Sequence, residues 1–474
     1  MELPDAAPEA PSPEDDRGSF VVRAVRRTRV LLRRASRQRY GPPLLLYFSA
    51  AAATGAACVL FMRGFDFAHR HQLGIDKIGA WAFLTTPALF ILSFEMIRLE
   101  APLAAGTGIP QTIFAARRLS PSSRRLLDSL LSLRTMTVKI AALYLAVWAG
   151  ASTGREGPSV HVAACVFLAL VLLARSRLKL PLDFRSAVVA GGSAGLAAAF
   201  NTPLAGVTFA IEELSAGYLS SIRDYVLMAI IISAVTANSM RGEYLYFGKL
   251  KEPLAIPLRT ALEIGVLGGL LGALFCESIL RGQAALAHRL QSPVPKERWK
   301  TVGGLAMGLV LLSWAVGPYV LGPGNEVAQD LLADIPLHGF HSFIFPFAKT
   351  LSTLLTYWSG MAGGIFAPCL SIGSALGGAV GSALKSPVGA SAMVGMAAFL
   401  AGSIQAPITS FVIIFEMTRD HNMLPSIMMG AVAGFMTSRA VGARHLYPAL
   451  AASYRKLLEP VPPPAVQAGP PASS

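Results

Sequence analysis

The chain has 474 residues, of which 53% are hydrophobic and only 14% charged, and its formal net charge is +14. Soluble domains carry about 25% charged residues, so this composition excludes an ordinary soluble globular protein and predicts an all-α polytopic membrane protein. The apolar runs are long and do not alternate, which excludes an outer-membrane barrel. On such a chain a positive excess reads as orientation and lipid contact, not nucleic-acid binding.

Residues 1–40 begin with a Pro- and acid-rich stretch (Asp5, Glu9, Glu14, Asp15, Asp16) that has no apolar core, so no cleavable signal peptide is expected. A basic run follows (Arg23, Arg26, Arg27, Arg29, Arg33, Arg34, Arg37, Arg39), interleaved with Val21, Val22, Val25, Val30, Leu31 and Leu32. It predicts a disordered to interfacial segment anchored on the cytoplasmic side of the membrane. Apolar stretches then recur at 43–62, 78–97, 140–174, 187–211, 225–238, 260–280, 301–321, 343–384, 394–414 and 424–441. Several are too long for one crossing and too broken for a regular one. Cys58, Cys165, Cys276 and Cys369 lie inside such runs at wide spacing and read as small core residues, not a disulfide or metal framework. Residues 460–474 are rich in Pro, Ala and Ser and are expected to be a disordered tail, with no soluble domain after the last membrane segment.

The chain also repeats itself. Asn201-Thr202-Pro203-Leu204, leading to Ile211-Glu212, matches Gln405-Ala406-Pro407-Ile408, leading to Phe415-Glu416, at an offset of 204 residues. Gly154-Arg155-Glu156-Gly157-Pro158 matches Gly364-Ile365-Phe366-Ala367-Pro368 at an offset of 210. Two matches in the same order predict two half-repeats, 41–250 and 251–459. Transporters often carry such repeats with inverted topology, their sites lying where interrupted helices of both halves meet. Glu212 and Glu416 correspond within the repeat, which predicts a shared packing or hydrogen-bonding role.

Three Gly/Pro motifs carry the chemistry: Gly106-Thr107-Gly108-Ile109-Pro110, Gly154 to Pro158, and Gly364 to Pro368. Each joins glycine to a proline suited to the first position of a helix. Helix starts expose backbone N–H groups and favour an anion by about 0.3–1 kcal/mol each, more when partly buried. Several converging starts would hold an anion without a full counter-charge, and so would let it leave again. Arg155 and Glu156 at membrane depth cost about 2.5–3.5 kcal/mol per group on insertion scales, which gives them a functional reading by default. Gly191-Gly192-Ser193-Ala194-Gly195 is glycine-rich but lies in a membrane segment and reads as close helix packing. No HExxH, Walker loop, GxSxG or Cys/His metal spacing is present, so no enzyme, catalytic residue, cofactor or metal site is expected.

These motifs resemble the three signatures of the CLC family of chloride channels and proton-coupled chloride exchangers: GSGIP, GREGP and GxFxP. The resemblance runs from about Gly106 to Tyr447 and includes Pro203-Leu204-Ala205-Gly206 and Leu446-Tyr447-Pro448. The second signature is identical and the third fits. The first departs at Thr107, where serine is usual; threonine keeps the hydroxyl donor, adds a methyl group and leaves selectivity open.

The resemblance implies a CLC-like inverted-repeat fold of tilted and re-entrant helices. It also implies a homodimer in which each subunit has its own path. The Thr107 and Tyr447 hydroxyls and the N–H groups of Ile365 and Phe366 would hold a central chloride. N–H groups around Arg155, Gly157 and Ala367 would form an outer site, and the Arg155 side chain would make a structural hydrogen bond. Glu156 would be the gate, blocking the path when ionised and leaving it when protonated. Glu213 would pass protons from the cytoplasmic side, as exchangers of the family do and channels do not. Lys139 would raise the local potential; an interfacial lysine with its ammonium in the headgroups is the equal alternative. His161, three residues after the second signature, reads as a packed histidine.

The expected activity is exchange of chloride, or a similar monovalent anion, for protons. Bound chloride is the expected ligand, and chloride, protons and the bilayer the expected partners, with no nucleic acid. The alternative is a passive voltage- or pH-gated chloride channel of the same fold, against which Glu213 argues. Fluoride export fits Pro158, Tyr447 and Glu213 less well. A membrane enzyme or scaffold would need buried catalytic groups that are not there. A short chain of this kind is expected in a bacterial inner membrane.

Overall fold

The computed structural model describes residues 41–118, 124–178, 184–215, 224–242, 246–247, 255–337 and 340–458. The basic run before residue 41 and the tail after residue 458 lie outside the described residues. Helices account for almost all of the rest. In chain order the elements are α1 (Gly41–Arg70), α2 (Ala82–Glu100), α3 (Ile109–Arg118), α4 (Arg124–Leu130), α5 (Leu133–Trp148), α6 (Glu156–Leu178), α7 (Phe184–Phe200), α8 (Pro203–Phe209) and α9 (Asp224–Arg241). They continue with α10 (Leu258–Leu290), α11 (Pro295–Val316), α12 (Asn325–Leu332), α13 (Phe340–Trp358), α14 (Phe366–Ala383), α15 (Val388–Ile404), α16 (Pro407–Thr418), α17 (Leu424–Ala440) and α18 (Leu446–Ala452).

Among the described residues, 7 helical stretches are long and apolar enough to cross a membrane. Others, such as Phe184–Phe200, Val388–Ile404 and Pro407–Thr418, are apolar but shorter. A polytopic membrane protein of helices follows, because a helix satisfies its own backbone polar groups in hydrocarbon.

The over-long apolar stretches are broken where the sequence has glycine or a polar residue before proline. The stretch 140–174 divides into α5 and α6 behind Gly150 (φ +91°), and 343–384 into α13 and α14 behind Gly360 (φ +76°). The stretch 187–211 divides at Asn201 (φ +57°), and 394–414 at Gln405 (φ +58°). These left-handed residues stop one helix. Pro203 and Pro407 then start the next, at the first-turn position where the missing N–H costs nothing. The breaks fall at the same offsets as the sequence matches.

Beyond the breaks, the interior is held by close helix packing. On α7, an added Cβ at Gly195 would lie 2.6 Å from the Ser159 carbonyl oxygen of α6. On α14, one at Gly373 would lie 2.5 Å from the Gly395 carbonyl oxygen of α15. Such approaches let backbones touch where no hydrophobic drive separates helix from lipid. The Gly191 to Gly195 run therefore packs helices, as expected. All four cysteines are buried and unpaired by disulfides.

Candidate functional site

The three Gly/Pro motifs meet inside one chain. Gly154 and Gly364 exchange both backbone hydrogen bonds, Gly154 N to Gly364 O at 2.8 Å and Gly364 N to Gly154 O at 2.9 Å. Gly106 donates to Met361 O at 3.0 Å and accepts from Gly363 N at 3.2 Å. Each is an isolated bridge between turns far apart in sequence, joining the second motif to the third and the first to Ala362, just before the third. A Cβ on Gly157 would stand 3.1 Å from Thr107 Cβ and 3.3 Å from Gly364 Cα, so all three turns are within a side chain of one another. A side chain at Gly157 would need Thr107 or the Gly364 backbone to give by a few tenths of an ångström.

The second and third motifs open α6 at Glu156 and α14 at Phe366. First-turn amides of a helix have no intrahelical acceptor, so the N–H groups of Gly157, Phe366 and Ala367 belong to the junction of the turns. Ile365, just before α14, and Ala367 are buried there. Thr107 is also buried, and its Oγ1 accepts from Ile109 N at 3.2 Å, which fixes the first turn and leaves the hydroxyl hydrogen to donate elsewhere. Tyr447, in the first turn of α18, stacks on Phe366 with ring centroids 6.2 Å apart. Its hydroxyl is fully buried and has no hydrogen-bond partner among the described residues. An orphaned buried hydroxyl is costly unless something polar meets it. An anion, or water, at this point would satisfy it.

Glu156 is buried completely. Its Oε2 lies beside Gly154 and has no hydrogen-bond partner among the described residues, so the carboxylate sits between the second and third turns. Oε1 accepts from the Tyr246 hydroxyl at 2.6 Å. Tyr246 is itself buried against Phe200 and Phe247. The neighbouring Arg155 makes an ion pair with Asp66, which Arg241 also approaches at 3.3 Å. The Arg155 side chain thus turns away from the junction and leaves its backbone there.

Lys139 is fully buried, and its ammonium donates to Gly106 O at 2.9 Å. That excludes a side-chain nitrogen lying in lipid headgroups and places it directly behind the first turn. His161 is buried, with Nε2 2.8 Å from Leu130 O, a packed histidine.

Glu213 lies on the π-helical turn Ala210–Leu214 that continues α8, and is fully buried. The wider turn faces Glu212 and Glu213 differently. Glu212 accepts from Ile408 N at 3.0 Å and Thr409 N at 2.6 Å, at the start of α16. Glu416 at the end of α16 returns the arrangement, accepting from Leu204 N at 3.1 Å and Ala205 N at 2.7 Å at the start of α8. The two repeat-related glutamates therefore cap each other's helix. Glu213 is left facing His445, whose Nε2 is 2.9 Å from Oε1. Sequence reasoning missed Tyr246, His445 and Asp66. Only the position of His445 beside Leu446-Tyr447 offered a cue.

Residues 88–439 match the profile of the voltage gated chloride channel family. A Salmonella agona protein named H(+)/Cl(-) exchange transporter ClcA is 30% identical over 450 residues, covering 90% of this chain and 92% of the relative. The Citrobacter koseri protein of the same name is 31% identical over 434 residues, covering 86% of this chain and 89% of the relative. The crystal structure of a slow cyanobacterial Cl-/H+ antiporter superposes with a TM-score of 0.75 at 22% identity, covering 89% of this chain and 99% of that one. A CLC-type fluoride/proton antiporter superposes at 0.68 and 21% identity, covering 85% and 96%. At those identities the structural likeness speaks for the fold. Taken with the converging signature turns, the matched profile places this chain in the voltage-gated chloride channel (CLC) family.

Proposed function

We propose that this protein moves chloride across a membrane in exchange for protons. The observation that carries the reading is the meeting of three helix-start turns beside the unpartnered Tyr447 hydroxyl, with Glu156 lodged among the same turns. Two kinds of negative group can occupy this junction: the gate carboxylate or an anion. Protonation neutralises Glu156, ends its competition with the anion and lets the side chain leave. Thr107, Tyr447, Ile365 and Phe366 hold the central anion. The amides around Arg155, Gly157 and Ala367 hold an outer one. Lys139 supports the field behind Gly106.

The buried Glu213 supplies the second proton site that an exchanger needs and a passive channel does not, and the named ClcA relatives are exchangers. A homodimer, an inner-membrane location with a cytoplasmic N-terminus, and a role as transporter without enzymatic chemistry belong to the same reading. They are supported by family membership.

The test is flux in liposomes. Purified protein under an outward chloride gradient should drive protons against their own gradient, followed as a change in external pH. Glu156→Gln should abolish proton movement and make anion flux insensitive to pH. Glu213→Gln should abolish proton movement and leave anion flux. Chloride flux without uphill proton movement in the unmodified protein would instead establish the channel.

A further inference from the structure

Glu213 has no exposed surface, yet any proton it handles must come from water. Its carboxyl is shut in: Oε2 has no hydrogen-bond partner among the described residues, and Oε1 faces His445 Nε2 at 2.9 Å. The His445 side chain is 34% exposed against 0% for Glu213, so one imidazole spans the step from solvent to the buried acid. His445 is the residue immediately before α18 and two before Tyr447, and its side chain makes no cap hydrogen bond there.

The charged groups around the ring are accounted for. Arg117 on α3 donates to the Glu213 backbone carbonyl. Glu212 is engaged by the amides of α16. Arg444, beside the ring in sequence, is paired with Glu277 of α10 at 3.0 and 2.9 Å. The charges of Arg117 and Glu212 still act on the ring, Arg117 against its protonation and Glu212 in favour of it, and the group in hydrogen-bond contact with the imidazole is the Glu213 carboxylate.

We propose that His445 is the relay that loads Glu213 with protons and unloads it. This rests on the exchange reading above, in which Glu213 is a proton site. Hydronium from the aqueous side protonates Nδ1 of the Nε2–H tautomer and leaves as water, and the imidazolium then donates the Nε2 hydrogen to Glu213 Oε1. One N–H bond breaks, one O–H bond forms, and a neutral ring faces a neutral acid. Exchange of the ring's protons with water resets its tautomer, and the reverse sequence unloads the acid.

The electrostatics agree with the geometry. Partial burial opposes the charged ring, but the charge and hydrogen bond of Glu213 outweigh it and hold the His445 pKa above the ordinary histidine value. The relay is therefore charged at and below that ordinary value and empties as pH rises through the raised one. Proton loading from this side should fall over the same interval.

The experiment compares His445→Ala, His445→Gln and Glu213→Gln in liposomes by proton and chloride flux, with and without added imidazole. General acid–base assistance is commonly worth a hundredfold or more, so proton flux should fall by about tenfold or more in both histidine variants. Imidazole should restore it in His445→Ala but not in Glu213→Gln, where the acceptor itself is gone. His445→Gln keeps a polar side chain of similar size and should lose the decline of proton flux with rising pH. Unchanged proton flux in the histidine variants, or a loss in His445→Ala that imidazole does not restore, overturns the relay. Persistent coupling in Glu213→Gln would indict the Glu213 assignment, whereas its loss beside unaffected histidine variants would sink the relay alone.

Discussion

Two oxygens of one carboxylate divide the work at Glu156. Oε1 is held by the Tyr246 hydroxyl, and Oε2 lies among the turns without a protein hydrogen-bond partner among the described residues. A hydrogen bond to a charged group contributes roughly 1.5–3 kcal/mol. Removing it with Tyr246→Phe should therefore shift the gate toward release by about tenfold or more, read as faster exchange at a fixed pH in liposomes. Slower exchange would show that Tyr246 assists opening instead. At Tyr447 the sign is reversed, because in the proposed scheme the hydroxyl holds the anion and not the gate. Tyr447→Phe should weaken chloride binding by about tenfold, the lower end of the same range, measured by calorimetry on the detergent-solubilised protein. Lys139 was legible from sequence as a choice between two roles. Its burial against Gly106 rules out the headgroup position, and no local pattern could have done so.

At the scale of elements, the helices that matter are the interrupted ones. Their ends are set by short-range chemistry: left-handed Asn201 and Gln405 stop α7 and α15, and Pro203 and Pro407 open α8 and α16. The reciprocal caps are long-range. Glu212 and Glu416 reach across about 200 residues of chain to the first-turn amides of each other's helix. Losing one cap costs about 1 kcal/mol. Glu416→Ala and Glu212→Ala should thus each lower the melting temperature in detergent. The double variant should depart from additivity, because both caps belong to one α8–α16 contact. An exactly additive pair would mean that the two ends respond independently. Close packing makes a second demand on these elements. Gly195→Ala would press a methyl group onto Ser159 O and should destabilise by about 1–3 kcal/mol, read from the same melts.

Across the whole molecule, the site exists only because distant turns converge. Residues 106, 154 and 364 become neighbours through two small backbone bridges, so the junction and the folded state are one object. An anion that binds the folded chain alone must stabilise it. At ten times its dissociation constant the gain is about 1.4 kcal/mol. Raising chloride at constant ionic strength, with gluconate as the replacement, should raise the melting temperature of the unmodified protein. The rise should be smaller for Tyr447→Phe at the same chloride concentration. A melting curve indifferent to chloride would remove the anion from the junction.

Membrane character, the places where helices break, the internal matches and the family were all decided by the sequence. Composition, glycine, proline and motif spacing act locally, and local chemistry is written in the order of residues. The meeting of the three turns was an inference from repetition, and the structure supplies its form as hydrogen bonds between specific glycines. Which side chains attend the two glutamates was decided only by tertiary structure. Tyr246 reaches Glu156 across 90 positions and His445 reaches Glu213 across 232, contacts that no propensity or period encodes. A buried carboxylate takes whatever partner the packed helices bring to it, and the packing is a property of the whole chain.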